Sequence, residues 1–128
     1  MKERIKGKGA VGIAISYFSL RGIVSIPLEP CEYNLIFHYN DSRHTLFRIK
    51  VISCSYQTKY GVFSASIRTS GGNQPNSKVK EFDPLTCDYI FIVTSEIDMY
   101  LIPSEQIHSK RQISLNTYSE YKVNIIPG

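Results

Sequence analysis

The sequence predicts an α+β fold, with one leading helix followed by a mixed β-sheet and little other helix. Three patterns carry this reading. Apolar residues recur at helical spacing near the N-terminus, at Val11, Ala14, Ile15, Tyr17 and Phe18. Two later segments alternate with the strand period of two. A further segment, Tyr89-Ile90-Phe91-Ile92-Val93, is apolar without a break, as in a central strand covered on both faces.

The helix is expected from about Ala10 to Arg21, stopped by Gly22 acting as a C-terminal cap. A short strand, Ile23 to Ile26, follows and ends at Pro27. A hairpin comes next. Tyr33, Leu35, Phe37 and Tyr39 alternate with Asn34, Ile36 and His38, and Asn40-Asp41-Ser42 has turn chemistry. From Leu46 to Ser53, Phe47, Ile49 and Val51 are expected on one face and Arg48, Lys50 and Ile52 on the other. Another strand is expected from Gly61 to Thr69, and Ser70 to Lys78 reads as a surface loop. The apolar run extends from Asp88 to Thr94, turns through Ser95 to Asp98, and returns as Met99 to Ile102. Pro103 to Gln106 suits a short helical turn, and Ile113 to Leu115 an edge strand.

The length of 128 residues fits one domain, read as residues 1–128. Its 42% hydrophobic and 20% charged residues exclude a disordered, collagenous or coiled-coil chain. No apolar run reaches the roughly 18 residues of a membrane span, so no membrane partner is expected. Lys2, Arg4, Lys6 and Lys8 before Ala10 to Leu20 imitate a signal peptide. That stretch is broken by Ser16 and Ser19 and ends at Arg21-Gly22 without a small-residue cleavage site, so it reads as a helix of the folded protein. Cys31, Cys54 and Cys87 are dispersed and form no Cys-x-x-Cys pair. His38, His44 and His108 have no metal-ligand spacing with them, so no metal and no cofactor are expected from these residue types. Dispersed thiols fit a reducing, cytoplasmic setting.

The net charge of +4 is a mild basic excess. Candidate nucleic-acid contacts are Lys6 and Lys8 near the N-terminus, Lys50 on its strand, and Lys59, Arg68, Lys78 and Lys80 around the Gly71-Gly72 loop. Lys110-Arg111 forms a further cluster, and Tyr56, Tyr60, Asn73, Gln74 and Asn76 offer stacking or polar contacts. The plain alternative is a solvated, mildly basic surface.

The ordered segments Val24-Ser25-Ile26-Pro27-Leu28, Tyr33-Asn34-Leu35-Ile36 and Leu46 to Ser53 resemble the PD-(D/E)XK endonuclease superfamily. The likeness is to its small group containing a cyanobacterial group I intron homing endonuclease. Cys87 to Val93 and Met99 to Pro103 extend it, so that it spans about Lys6 to Val123. It implies a restriction-endonuclease-like core, double-stranded DNA as partner, and a homodimer or homotetramer. It also implies hydrolysis by a divalent ion held on carboxylates, with a lysine beside the attacking water.

The sequence departs from that pattern at each expected site position. Asn34 stands where the resemblance places the carboxylate, Lys50 where it places the next metal ligand, and Ile52 where it places the catalytic lysine. Val11 to Leu20 contains no acid. Asn34 has lost the negative charge, Lys50 repels a cation, and Ile52 has no group to activate water. The expectation is a DNA-binding pseudoenzyme. Loss of one member of such a unit costs about 10⁴–10⁶ in rate. Two alternatives stay open. One is an active nuclease whose carboxylates have relocated among Glu32, Asp41, Asp83 and Asp88. The other is a non-DNA interaction protein on the same scaffold. Lys50 reads either as a solvated charge or as an ammonium replacing the metal at a phosphate. Ile52 is expected to lie under another element.

Overall fold

The structure, a computed structural model, describes residues 7–27, 33–40, 43–68 and 81–127. The leading helix, α1, is Gly7–Ser19. Its Ala10, Ala14, Tyr17 and Phe18 are buried at the i, i+4, i+7, i+8 spacing of one helical face. The two alanines on this buried face leave little side-chain bulk between helix and sheet. Gly22 ends the helix with φ of +74°, the left-handed backbone that glycine adopts without cost. Ile23 N–H donates to Phe18 O at 2.9 Å and Gly22 N–H to Ser19 O at 3.0 Å. This pair closes the last turn as a Schellman motif.

Among the described residues eight strands follow: β1 Val24–Pro27, β2 Tyr33–Asn40, β3 Arg43–Cys54, β4 Ser64–Ser66, β5 Tyr89–Thr94, β6 Met99–Pro103, β7 Gln112–Ser114 and β8 Lys122–Val123. Six form the main sheet in the order β1-β2-β3-β5-β6-β8. β3 and β5 are parallel, whereas the neighbours on either side pair antiparallel. The sheet is therefore mixed, as the sequence predicts. β4 and β7 form a separate antiparallel pair.

The main sheet lies between two apolar layers. On one side the helix packs on Ile49, Phe91, Val93 and Met99. On the other, Ile90, Ile92, Tyr100 and Ile102 meet Ala65, Ile67, Phe82, Ile113 and Leu115. β5 is covered on both faces, and Ile90 to Thr94 are all buried. That placement explains why its sequence is continuously apolar while β3 beside it alternates from Phe47 to Val51.

Several elements differ from expectation. The strand expected from Gly61 to Thr69 shrinks to Ser64–Ser66. Gly61 instead closes a turn at φ +79°, spanned by a Gln57–Phe63 bridge. A 3-10 segment, Leu115–Tyr121, was not foreseen. Leu115, Tyr118 and Tyr121 recur there every three residues and pack on the core, a spacing too short in extent to mark an α-helix, and the segment kinks at Tyr118. The loop expected from Ser70 to Lys78 lies outside the described residues, as does most of the Asn40-Asp41-Ser42 turn.

Candidate nucleic-acid interface

β3 carries the positions singled out by the sequence, and its two faces differ. Phe47, Ile49 and Val51 point to the helix layer. Ile52 and Cys54 belong to the opposite layer, so Ile52 lies against other elements as expected.

Lys50 departs from both readings of it. It is 4% exposed, and its Nζ donates to the backbone oxygen of Ile67 at 3.1 Å. The ammonium also lies 5.9 Å from the centre of the Phe82 ring. The chain after β4 and the segment around Phe82 fold over this face of β3, which removes Lys50 from the surface. An ammonium enclosed in this way is neither a solvated charge nor placed at a phosphate.

The backbone register relates Asn34 of β2 to the β3 positions Lys50 and Ile52. Asn34 pairs with Ile49, and Lys50 pairs with Tyr33. Ile52 is two residues beyond Lys50, on the face away from the helix, beside Ile92. The helix Gly7–Ser19 contributes no acid to either face.

The described relocation candidates have structural partners. Asp83 accepts the Leu85 N–H at 2.9 Å and caps the short 3-10 turn Pro84–Thr86. The Asp88 carboxylate accepts the Arg48 N–H at 2.7 Å and lies 3.9 Å from Arg48 Nε. Asp88 N–H returns a bond to Arg48 O at 2.8 Å. Together these bonds extend the contact between β3 and the start of β5. Glu32 and Asp41 lie outside the described residues. Among the described residues, no group of three His, Cys, Asp or Glu side chains is placed to hold a metal ion.

The expected cations have different fates. Lys6, Lys78 and Lys80 lie outside the described residues, as do Asn73, Gln74 and Asn76, and Lys8 is placed only as a helix residue. Lys59 and Arg68 are exposed. Lys59 Nζ sits 5.1 Å over the ring of Tyr60, itself 81% exposed at the tip of the Gln57–Phe63 turn. Tyr56 is also exposed. Arg111 pairs with Glu81 at 3.5 Å and Lys122 with Asp98 at 3.3 Å. Arg21 donates to the Tyr17, Asn124 and Ile125 carbonyls and lies over the Tyr17 ring.

The buried thiols are not activated. Burial pushes Cys54 and Cys87 above the ordinary thiol value of 9.0, outweighing the bonds that Cys54 makes to backbone oxygens and Cys87 to Ser104.

One polar surface escaped the sequence reading. β4 and β7 turn Ala65 and Ile113 into the core, and Ser66, Gln112 and Ser114 to solvent. The signal was present as the alternation Ser64-Ala65-Ser66-Ile67-Arg68 and Gln112-Ile113-Ser114.

Comparison of folds places this architecture. It resembles the structure of a bacterial homing endonuclease, I-Ssp6803I, with a TM-score of 0.67 over 86% of this chain and 75% of that one. The likeness is one of fold. Sequence identity is 22%. No family model matches the chain, and no curated protein matches it. Among the described residues, no helix is long and apolar enough to cross a membrane.

Proposed function

We propose that this chain is a double-stranded-DNA-binding protein of homing-endonuclease fold that has lost the cleavage reaction. The fold likeness supports the DNA partner. The loss rests on one observation: among the described residues, neither face of β3 combines a carboxylate with a lysine in reach of solvent. The helix-facing row offers Phe47, Ile49 and Val51, and the other row offers the enclosed Lys50 followed by Ile52. Phosphodiester hydrolysis by a hard cation needs oxygen ligands and a group that activates water. The relation to PD-(D/E)XK enzymes of group I introns, a homodimeric or homotetrameric assembly and a cytoplasmic setting complete the reading. The exposed Lys59 and Arg68 are the nucleic-acid contacts that the described surface supports best.

The test uses the purified chain with a mixed-sequence duplex and with supercoiled plasmid. Retarded complexes at low salt that weaken steeply as salt rises are expected. Plasmid is expected to stay intact with Mg²⁺ or Mn²⁺. Nicking that depends on either ion overturns the lost-reaction reading. Absence of any complex at low salt overturns DNA binding.

A further inference from the structure

The outward face of the β4–β7 pair borders an open depression of about 390 Å³. Ser53, Ser55, Ser64, Ser66, Arg68 and Gln112 line it, and no lining residue is acidic. Gln112 Nε2 donates to Ser64 Oγ, tying the two strands together across the floor. Cys54 closes the base, with its thiol directed to Ser64 O at 3.3 Å. The concavity is thus built on paired strands and presents hydroxyls, an amide and one guanidinium.

The state of that guanidinium is informative. Arg21, Arg48, Lys50, Arg111 and Lys122 each donate to a carbonyl or pair with a carboxylate. Arg68 has no hydrogen-bond or ion-pair partner among the described residues, yet it stands at the rim of a hydroxyl-lined hollow. An arginine fork matches the geometry of phosphate oxygens, and serine hydroxyls complete such a site without adding repulsive charge.

We propose that this depression seats a phosphodiester group of the DNA backbone, held by Arg68 with Ser64 and Ser66. The proposal rests on the DNA-binding reading and deepens it by naming where the backbone docks. Contacts of this kind position a duplex without reading its sequence. Their loss therefore lowers affinity equally for all sequences.

Gel-shift titration of two unrelated duplexes over a range of salt provides the test. Arg68→Ala is expected to weaken binding about tenfold on both duplexes and to make the salt dependence shallower by about one counterion. Arg68→Lys is expected to keep the salt slope while losing part of the affinity, because it keeps the charge and loses the fork. Ser66→Asp is expected to weaken binding at least as much as Arg68→Ala. Lys122→Ala, on the edge strand β8 and not among the residues lining the depression, is the control and is expected to leave both quantities unchanged. If the wild-type chain binds and Arg68→Ala and Ser66→Asp bind equally well, the seat is elsewhere and the DNA-binding reading stands. If the wild-type chain binds neither duplex, both ideas fall together. Amide shifts at Ser66 and Arg68 with inorganic phosphate or a nucleoside monophosphate, but none with duplex, identify a small-ligand site and overturn the proposal.

Discussion

The ammonium of Lys50 is bonded to the backbone oxygen of Ile67, seventeen residues further along the chain. One charged side chain thereby fastens the middle of β3 to the segment that crosses it. Lys50→Ala removes the donor and the packed stem together. A loss of about 2–4 kcal/mol in unfolding free energy is expected. Lys50→Met keeps the stem and removes the charge, so a loss below about 1.5 kcal/mol is expected. Urea denaturation of both variants measures this. A Lys50→Ala protein as stable as wild type would mean that the ammonium lies in water.

Two positions with left-handed backbone give opposite expectations. Gly22 has φ of +74°, and nothing lies within 4 Å of an added Cβ, so Gly22→Ala changes only backbone preference. A destabilisation of about 1 kcal/mol is expected. Ile97 has φ of +64° in the turn between β5 and β6, where a branched side chain is disfavoured. Ile97 is exposed, so Ile97→Asn gives up little burial and is expected to stabilise by about 1 kcal/mol. Thermal melts of the two variants should shift in opposite directions.

Alkaline pH should weaken the fold. Burial raises Cys54 and Cys87 above 9.0 and Tyr100 above 10.0. In the unfolded chain these groups ionise at their ordinary values, so above about pH 9 the unfolded state binds fewer protons than the native state. Their contribution is complete below pH 9.0 and is lost as pH rises through the higher native values. Urea midpoints at neutral pH and near pH 10 should show the fall. Cys54→Ala/Cys87→Ala should flatten it, and equal slopes would assign the loss to other groups.

Asp88 separates a structural carboxylate from a metal ligand. Asp88→Ala removes the acceptor of the Arg48 N–H at 2.7 Å, and about 1–2 kcal/mol of stability should go with it. Magnesium is expected to leave the melting temperature of wild type and variant alike unchanged. Stabilisation of wild type by the ion, abolished in the variant, would instead make Asp88 a ligand.

The sequence made the layers legible wherever burial imposed a period. The unbroken run at Tyr89–Thr94 marked the central strand, and the alternation around Ile49 separated the two faces of β3. Ile52 among polar neighbours correctly implied a covering element. The fate of Lys50 was not legible, because the atoms that enclose it come from Ile67 and Phe82, far along the chain. The register that sets Asn34 opposite Ile49 was equally hidden. Alternation places residues on faces within one strand, but the offset between strands depends on a pairing that local pattern does not specify.

The parallel pairing of β3 with β5 has a kinetic side. Arg48 meets Asp88 across forty residues of intervening chain, whereas β2 and β3 are consecutive hairpin partners. The sheet's two antiparallel halves therefore have local routes to assembly, but their junction must wait for a long loop to close. That junction is the seam whose formation should limit the folding rate. Refolding should be slowed by substitutions at Ile49 or Phe91 more than by equal destabilisation at the outer strands.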